Sequence, residues 1–218
     1  MNVTEQLRPA GGSCGRRWHD AARKANGLSW RLFHTANGAT VVHVDLVPNR
    51  HREVQALAWL DSAERERRAR FLHPRPQRQF TLCRAVLRQI LCRRLGCRND
   101  ELSFATGQHG KPFALARGRP APVTFNVSHG GRHGLIAFAS AGQVGVDVEE
   151  RLARRDMDGD IRVLFAPRER SRFEALSGSR KTELYYRLWT LKEALVKATG
   201  IGLQGGSVLT LREFERSA

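Results

Sequence analysis

The chain has 218 residues, room for one large domain or two small ones, and it can bury a core without disulfide or metal staples. Hydrophobic residues make up 41% and charged residues 27%, an ordinary globular composition. Thirty-seven Lys and Arg stand against 21 Asp and Glu, and the net charge of +16 excludes an acidic solvating protein and implies a polyanionic partner.

No run approaches about 18 consecutive apolar residues, so no membrane span is expected. The start, MNVTEQLRPAGG, lacks the apolar stretch of a signal peptide. The four cysteines, Cys14, Cys83, Cys92 and Cys97, form no CxxC pair; Cys83 and Cys92 read as small buried hydrophobes, and a reducing cytoplasm is expected.

In chain order, residues 1–38 read as a basic extension of loop or disorder, rich in glycine and scattered arginine. The β-branched run 41–47 is the first strand, ended by Pro48. A helix is expected near 53–59. A second starts at Asp61, which can cap it, with Glu64 three residues on. Pro74 and Pro76 interrupt it. Leu82, Val86, Leu87, Ile90, Leu91 and Leu95 then recur at threes and fours, an amphipathic helix over 78–95 stopped by Gly96. Strands are expected at 123–128, 135–139 and 143–149, joined by tight glycine turns as an antiparallel meander. Helices follow Pro167 and cover 184–199, stopped by Gly200, and 207–214 reads as a last strand. The class is α+β, not a doubly wound parallel sheet.

Four segments carry candidate chemistry. In Gly145-Val146-Asp147-Val148-Glu149, strand alternation puts the valines on one face and both carboxylates on the other, about 7 Å apart. Such a pair suits a hard divalent cation, or is two exposed acids paired with arginine. On a helix, Trp189, Glu193 and Lys197 share one face at i, i+4 and i+8. Glu193 and Lys197 form either a plain ion pair or an acid completing a metal site beside a cation for phosphate. In Asn126-Val127-Ser128-His129-Gly130, a polar tip with free backbone N–H groups fits an anion, or is a plain turn. No Gly-x-Ser-x-Gly elbow surrounds Ser128, so it is not read as a nucleophile. From Asp61 to Arg98, eleven arginines against three acids give a surplus of eight, half of the chain's excess, and Lys111 adds a cation on a rigid Gly-Lys-Pro turn. That run is either a solvated face or a bed for an anion.

Together these segments resemble the Sfp-type 4′-phosphopantetheinyl transferase family. The shared motifs are Gly-Val-Asp-Val-Glu at 145–149, Trp-x-x-Lys-Glu-Ala-x-x-Lys at 189–197 with Gly-Ile-Gly-Leu at 200–203, Asn-x-Ser-His at 126–129 and Gly-Lys-Pro at 110–112. The resemblance runs from about Val41 to Phe214. It implies two similar α+β halves related by a pseudo-twofold, with the site in the cleft between them. The halves would be 39–119, basic and phosphate-binding, and 120–218, metal-binding and catalytic, the latter shortened at its end. The implied reaction is Mg²⁺-dependent transfer of the 4′-phosphopantetheine arm of coenzyme A to a serine of an apo acyl or peptidyl carrier protein, releasing adenosine 3′,5′-bisphosphate. Asp147, Glu149 and Glu193 would hold Mg²⁺, or Mn²⁺. Glu193, or a water it orients, would be the base for the serine, and Lys197 would contact the pyrophosphate. His129, with Ser128 nearby, Lys111 and either Arg78 or Arg84 would bind the CoA 3′-phosphate. An acidic carrier would be steered in by the basic surface. A monomer is expected, with no membrane and no nucleic acid. The alternatives are a basic nucleic-acid-binding protein, or an inactive relative that binds carriers without modifying them.

Overall fold

The computed structural model describes residues 28–107, 110–152 and 157–200. β1 (Trp30–Ala36) and β2 (Ala39–Asp45) form a hairpin across Asn37 and Gly38, whose φ values of 48° and 76° match the turn favoured between twisted antiparallel strands. Residues 28–38 of the expected extension are therefore part of the fold, and Trp30 is buried with its Nε1 donating to Gln89 at 2.8 Å.

α1 (Arg50–Leu57) follows Asn49, whose side chain accepts from Arg52 N. α2 (Ser62–Ala69) opens on the expected box: Asp61 accepts from Glu64 N, and Glu64 accepts from Asp61 N. Pro74 and Pro76 do not break a helix but begin one. α3 (Pro74–Leu95) starts on them because the first turn needs no N–H donor there, and it ends where Gly96 turns left-handed at φ 60°.

β3 (Leu102–Thr106), β4 (Pro112–Ala116) and the two-residue β5 (Arg119–Pro120) make a small antiparallel sheet that the sequence reading had not drawn as strands. β6 (Thr124–Gly130) and β7 (His133–Ala139) pair across Gly131-Arg132. β7 also pairs with β2, giving the order β1-β2-β7-β6. The expected meander is thus corrected: among the described residues 143–149 joins no ladder, and β7 pairs on its other edge with β2, from the first part of the chain.

β7 is covered on both faces. Ile136 and Phe138 join Val42, Val44, Val86, Leu87 and Ile90 in the main core under α3, while Leu135, Ala137 and Ala139 pack with Val144 and Val146. Side chains accept from the backbone of segment 143–149: Val146 N donates to Asn126 Oδ1 at 3.0 Å and Val148 N to Ser128 Oγ at 3.4 Å. α4 (Met157–Leu164), α5 (Pro167–Glu174) and α6 (Gly178–Thr199) enclose a second core of Ile161, Phe165, Phe173, Tyr185, Tyr186 and Leu188. Gly200, at φ 75°, ends α6 as expected. The expected strand at 207–214 and Cys14 lie outside the described residues.

Candidate active site

Segment 143–149 and α6 touch because residue 145 has no side chain. A Cβ on Gly145 would collide with Ala194 O and lie 2.5 Å from Ala198 N, both backbone atoms of α6. Gly145 has an ordinary φ, so close approach, not conformation, demands glycine here. Gly130 plays the same part on the other side, where a Cβ would meet Val148 O at 2.5 Å.

With the backbone clamped in this way, Asp147 and Glu149 face α6. Lys197 Nζ donates to Asp147 Oδ1 at 2.5 Å and to Ser128 Oγ at 3.1 Å, and Ser128 Oγ donates to Asp147 Oδ1 at 2.8 Å. Trp189 Nε1 donates to Glu149 Oε1 at 3.1 Å. Trp189 and Lys197 are about 12 Å apart along the helix axis, and Glu193 sits midway on the same face. Two contacts therefore bracket Glu193 between Asp147 and Glu149.

Electrostatics agree. Burial lifts the Glu193 carboxyl above its ordinary value; Lys197 pulls it down, and the charges of Asp147 and Glu149 push it up. Among the described residues Glu193 has no hydrogen-bond or ion-pair partner. The simple Glu193–Lys197 ion pair is therefore not formed, since the ammonium goes to Asp147. Lys192, on another face, binds Glu169 at 2.6 Å and secures α6 to α5.

Asp147 is 3% exposed, and its Oδ2 is buried with no hydrogen-bond partner among the described residues. An unpaired buried carboxylate oxygen is costly unless a cation meets it. Hard oxygen donors on Asp147, Glu149 and Glu193 have the chemistry for a divalent ion, although among the described residues no group of three His, Cys, Asp or Glu is assembled at ligand spacing.

The anion candidates separate into two sets. His129 follows Ser128 directly and is exposed, yet its crowded surroundings, and then the Lys197 charge, hold its pKa below the ordinary value. Arg78 Nε donates to Leu46 O at 3.1 Å, and Leu46 N in turn donates to Arg132 O in the β6–β7 turn. Arg84 is elsewhere in character. Its guanidinium, 13% exposed, packs over Phe104 at 4.3 Å beside Glu64. Arg88 is fully buried, on Asp61 and Glu64. Part of the basic surplus of 61–98 thus neutralises the capping acids of α2. Lys111 has all three N–H groups on oxygens: Ala198 O at 2.7 Å, Gln143 Oε1 at 2.8 Å and Val144 O at 3.2 Å.

Sequence reasoning missed the work of Asn126, which replaces a strand partner for Val146, and of Arg75 and Gln79, which reach Glu150 and Gly131 O from the start of α3. The alternation Asn126/Ser128 on one strand face was the available signal.

Residues 143–217 match the model of the 4′-phosphopantetheinyl transferase superfamily, and residues 46–141 match that of the 4′-phosphopantetheinyl transferase N-terminal region. The chain belongs to the 4′-phosphopantetheinyl transferase family. The 4′-phosphopantetheinyl transferase HetI of Nostoc sp. is 34% identical over 165 residues, covering 74% of this chain and 70% of that protein. A Synechocystis sp. protein, whose assignment to the same activity is itself provisional, is 40% identical over 149 residues, covering 68% of this chain. The chain spans 60% of the length of that relative. The 4′-phosphopantetheinyl transferase Sfp of Bacillus subtilis is 26% identical over 74% of this chain and 70% of its own length. No helix among the described residues is long and apolar enough to cross a membrane.

Proposed function

We propose that this chain transfers the 4′-phosphopantetheine arm of coenzyme A to a serine hydroxyl of an apo acyl or peptidyl carrier protein and releases adenosine 3′,5′-bisphosphate. The observation that carries this reading is the bracketing of Glu193 between Asp147 and Glu149 by the Lys197–Asp147 and Trp189–Glu149 contacts. The carrier serine supplies the nucleophile, so the chain needs to accept a proton, hold a pyrophosphate and orient both substrates.

Asp147, Glu149 and Glu193 would hold Mg²⁺, with Mn²⁺ as the substitute; when bound, the ion offsets the charge that develops on the pyrophosphate oxygens. Glu193, lifted by burial, is poised to take the serine proton directly or through a water. Lys197 lies beside Asp147 and serves the pyrophosphate, and Ser128 fixes Asp147 by its hydrogen bond. His129 and Arg78 are the groups we assign to the CoA 3′-phosphate. Arg84 is enclosed, and the Lys111 donors are already committed. The reaction centre is the cleft between two α+β halves, and the remaining basic surface steers an acidic carrier. Free thiols at Cys83, Cys92 and Cys97 suit a reducing cytoplasm.

The test is incubation with CoA, Mg²⁺ and a panel of apo carrier proteins, read by intact mass. Gain of the phosphopantetheine mass on a carrier serine, lost in D147A and E193A variants that still fold, is the expected result. Undiminished transfer by both variants, or in excess chelator, overturns the acidic-site assignment.

A further inference from the structure

We propose that Lys111 is a positioning residue that fixes the last turn of α6 against segment 143–149 and so sets the Lys197–Asp147 contact. Its three N–H groups converge on Ala198 O, Gln143 Oε1 and Val144 O. Ala198 adjoins Lys197, and Val144 lies three residues before Asp147. One ammonium therefore ties together the two backbone pieces that carry the two ends of that contact.

The arrangement has physical logic at each end. Ala198 O is one of the last four carbonyls of α6, which have no partner within the helix, and a cation there also opposes the negative end of the helix dipole. Gly110, at φ 78°, and Pro112, with its fixed φ, hold the backbone on either side of Lys111. A lysine engaged by three carbonyl oxygens must abandon them to meet a phosphate. Desolvation, which lowers the Lys111 pKa, accords with an ammonium withdrawn from solvent.

The turnover arm of the test rests on the proposed function, and the exchange arm does not. Lys111→Met and Lys111→Arg are compared with the unaltered chain by amide hydrogen exchange in residues 196–200 and by steady-state transfer with CoA varied. For Lys111→Met, exchange in the last turn should quicken about tenfold, and kcat should fall roughly ten- to a hundredfold with KM for CoA within twofold. Lys111→Arg should show the same pattern more weakly, because a planar fork cannot aim at three converging oxygens, although arginine binds phosphate well. If Lys111→Met does not fold, Lys111→Arg decides alone. A raised KM for CoA in Lys111→Met with kcat and exchange unchanged, or a Lys111→Arg variant identical to the unaltered chain in every readout, overturns the proposal. If the unaltered chain transfers nothing, the proposed function fails, and the exchange arm still decides the role of Lys111.

Discussion

Replacing Gly145 by alanine tests the packing of the site most directly. The added carbon would sit against Ala194 O and 2.5 Å from Ala198 N, the acceptor and donor of one turn of α6. It would enter between the atoms of a helix hydrogen bond, where no flexible side chain can yield. Ordinary contact begins near 3.4 Å, so relieving the approach to Ala198 N alone takes about 0.9 Å, and Ala194 O, which is closer still, demands more. Overpacking of this kind costs about 1–3 kcal/mol, or roughly 2–12 °C in melting temperature for a chain of this size. A displacement near 1 Å between Asp147 and Lys197 should lower transfer by up to about a hundredfold. Gly142→Ala is the control: its φ of 72° makes alanine strained, but nothing lies within 4 Å of the new carbon. It should lose about 1 kcal/mol and keep its turnover. Thermal unfolding and carrier loading are measured on both. A G145A variant that melts and turns over like the unaltered chain refutes the close-approach reasoning.

Glu193→Gln should abolish loading yet raise stability at neutral pH in chelator. The Glu193 pKa is raised on folding, chiefly by burial, so its stability contribution is complete below the unfolded value and is lost as pH climbs through the folded one. The gain over the unaltered chain should therefore vanish near pH 4, and denaturant titrations at pH 4 and 7 check this. His129 behaves in the opposite sense: its lowered pKa gives stability that is complete above the unfolded value, near 6.5, and lost as pH falls through the folded one. An NMR titration should find its midpoint below 6.5, and added CoA should move it up. Arg88→Met should cost about 3 kcal/mol, because it takes the closer cation from buried Glu64 and leaves it only the longer Arg84 contact, read by denaturant unfolding. Arg78→Ala should raise KM for CoA severalfold while leaving the melting temperature nearly unchanged.

What could be read beforehand was what depends on neighbours in sequence. The Asp61/Glu64 box and the glycine stops at Gly96 and Gly200 involve residues within a few positions. The family motifs drew attention to Asp147, Glu149, Glu193 and Lys197 for the same reason. Segment 143–149 was read half correctly. Its alternation of buried valines is real, but alternation reports which side chains are buried and not what satisfies the backbone, here Asn126 and Ser128. β1 was missed because Asn37-Gly38 was weighed as loop composition instead of as a hairpin turn. The pairing of β2 with β7 joins residues 88 to 100 positions apart, and no local pattern encodes it. Charge counting left the arginine run of 61–98 open between a solvated face and an anion bed because it cannot place Asp61 and Glu64 beside Arg84 and Arg88. Lys111 was legible as a cation on a turn, but its three acceptors lie 32 to 87 residues away.

Ser128 shows why single substitutions at this site need care. Its hydroxyl donates to Asp147 Oδ1 and accepts from Val148 N, so it replaces a strand bond and orients a carboxylate at once. Ser128→Ala leaves Val148 N without that acceptor and removes one of the two donors on Asp147 Oδ1, and lost activity alone cannot separate these effects. A double-mutant cycle with Lys197→Met can. If Ser128 acts through Asp147, it shares that oxygen with Lys197, and the two losses in transfer should be non-additive by about 0.5–3 kcal/mol. If Ser128 only supports the backbone, the losses should add, and Ser128→Ala should lower stability as much in a Lys197→Met background as in the unaltered chain. Additive losses in transfer would confine Ser128 to holding segment 143–149 in place.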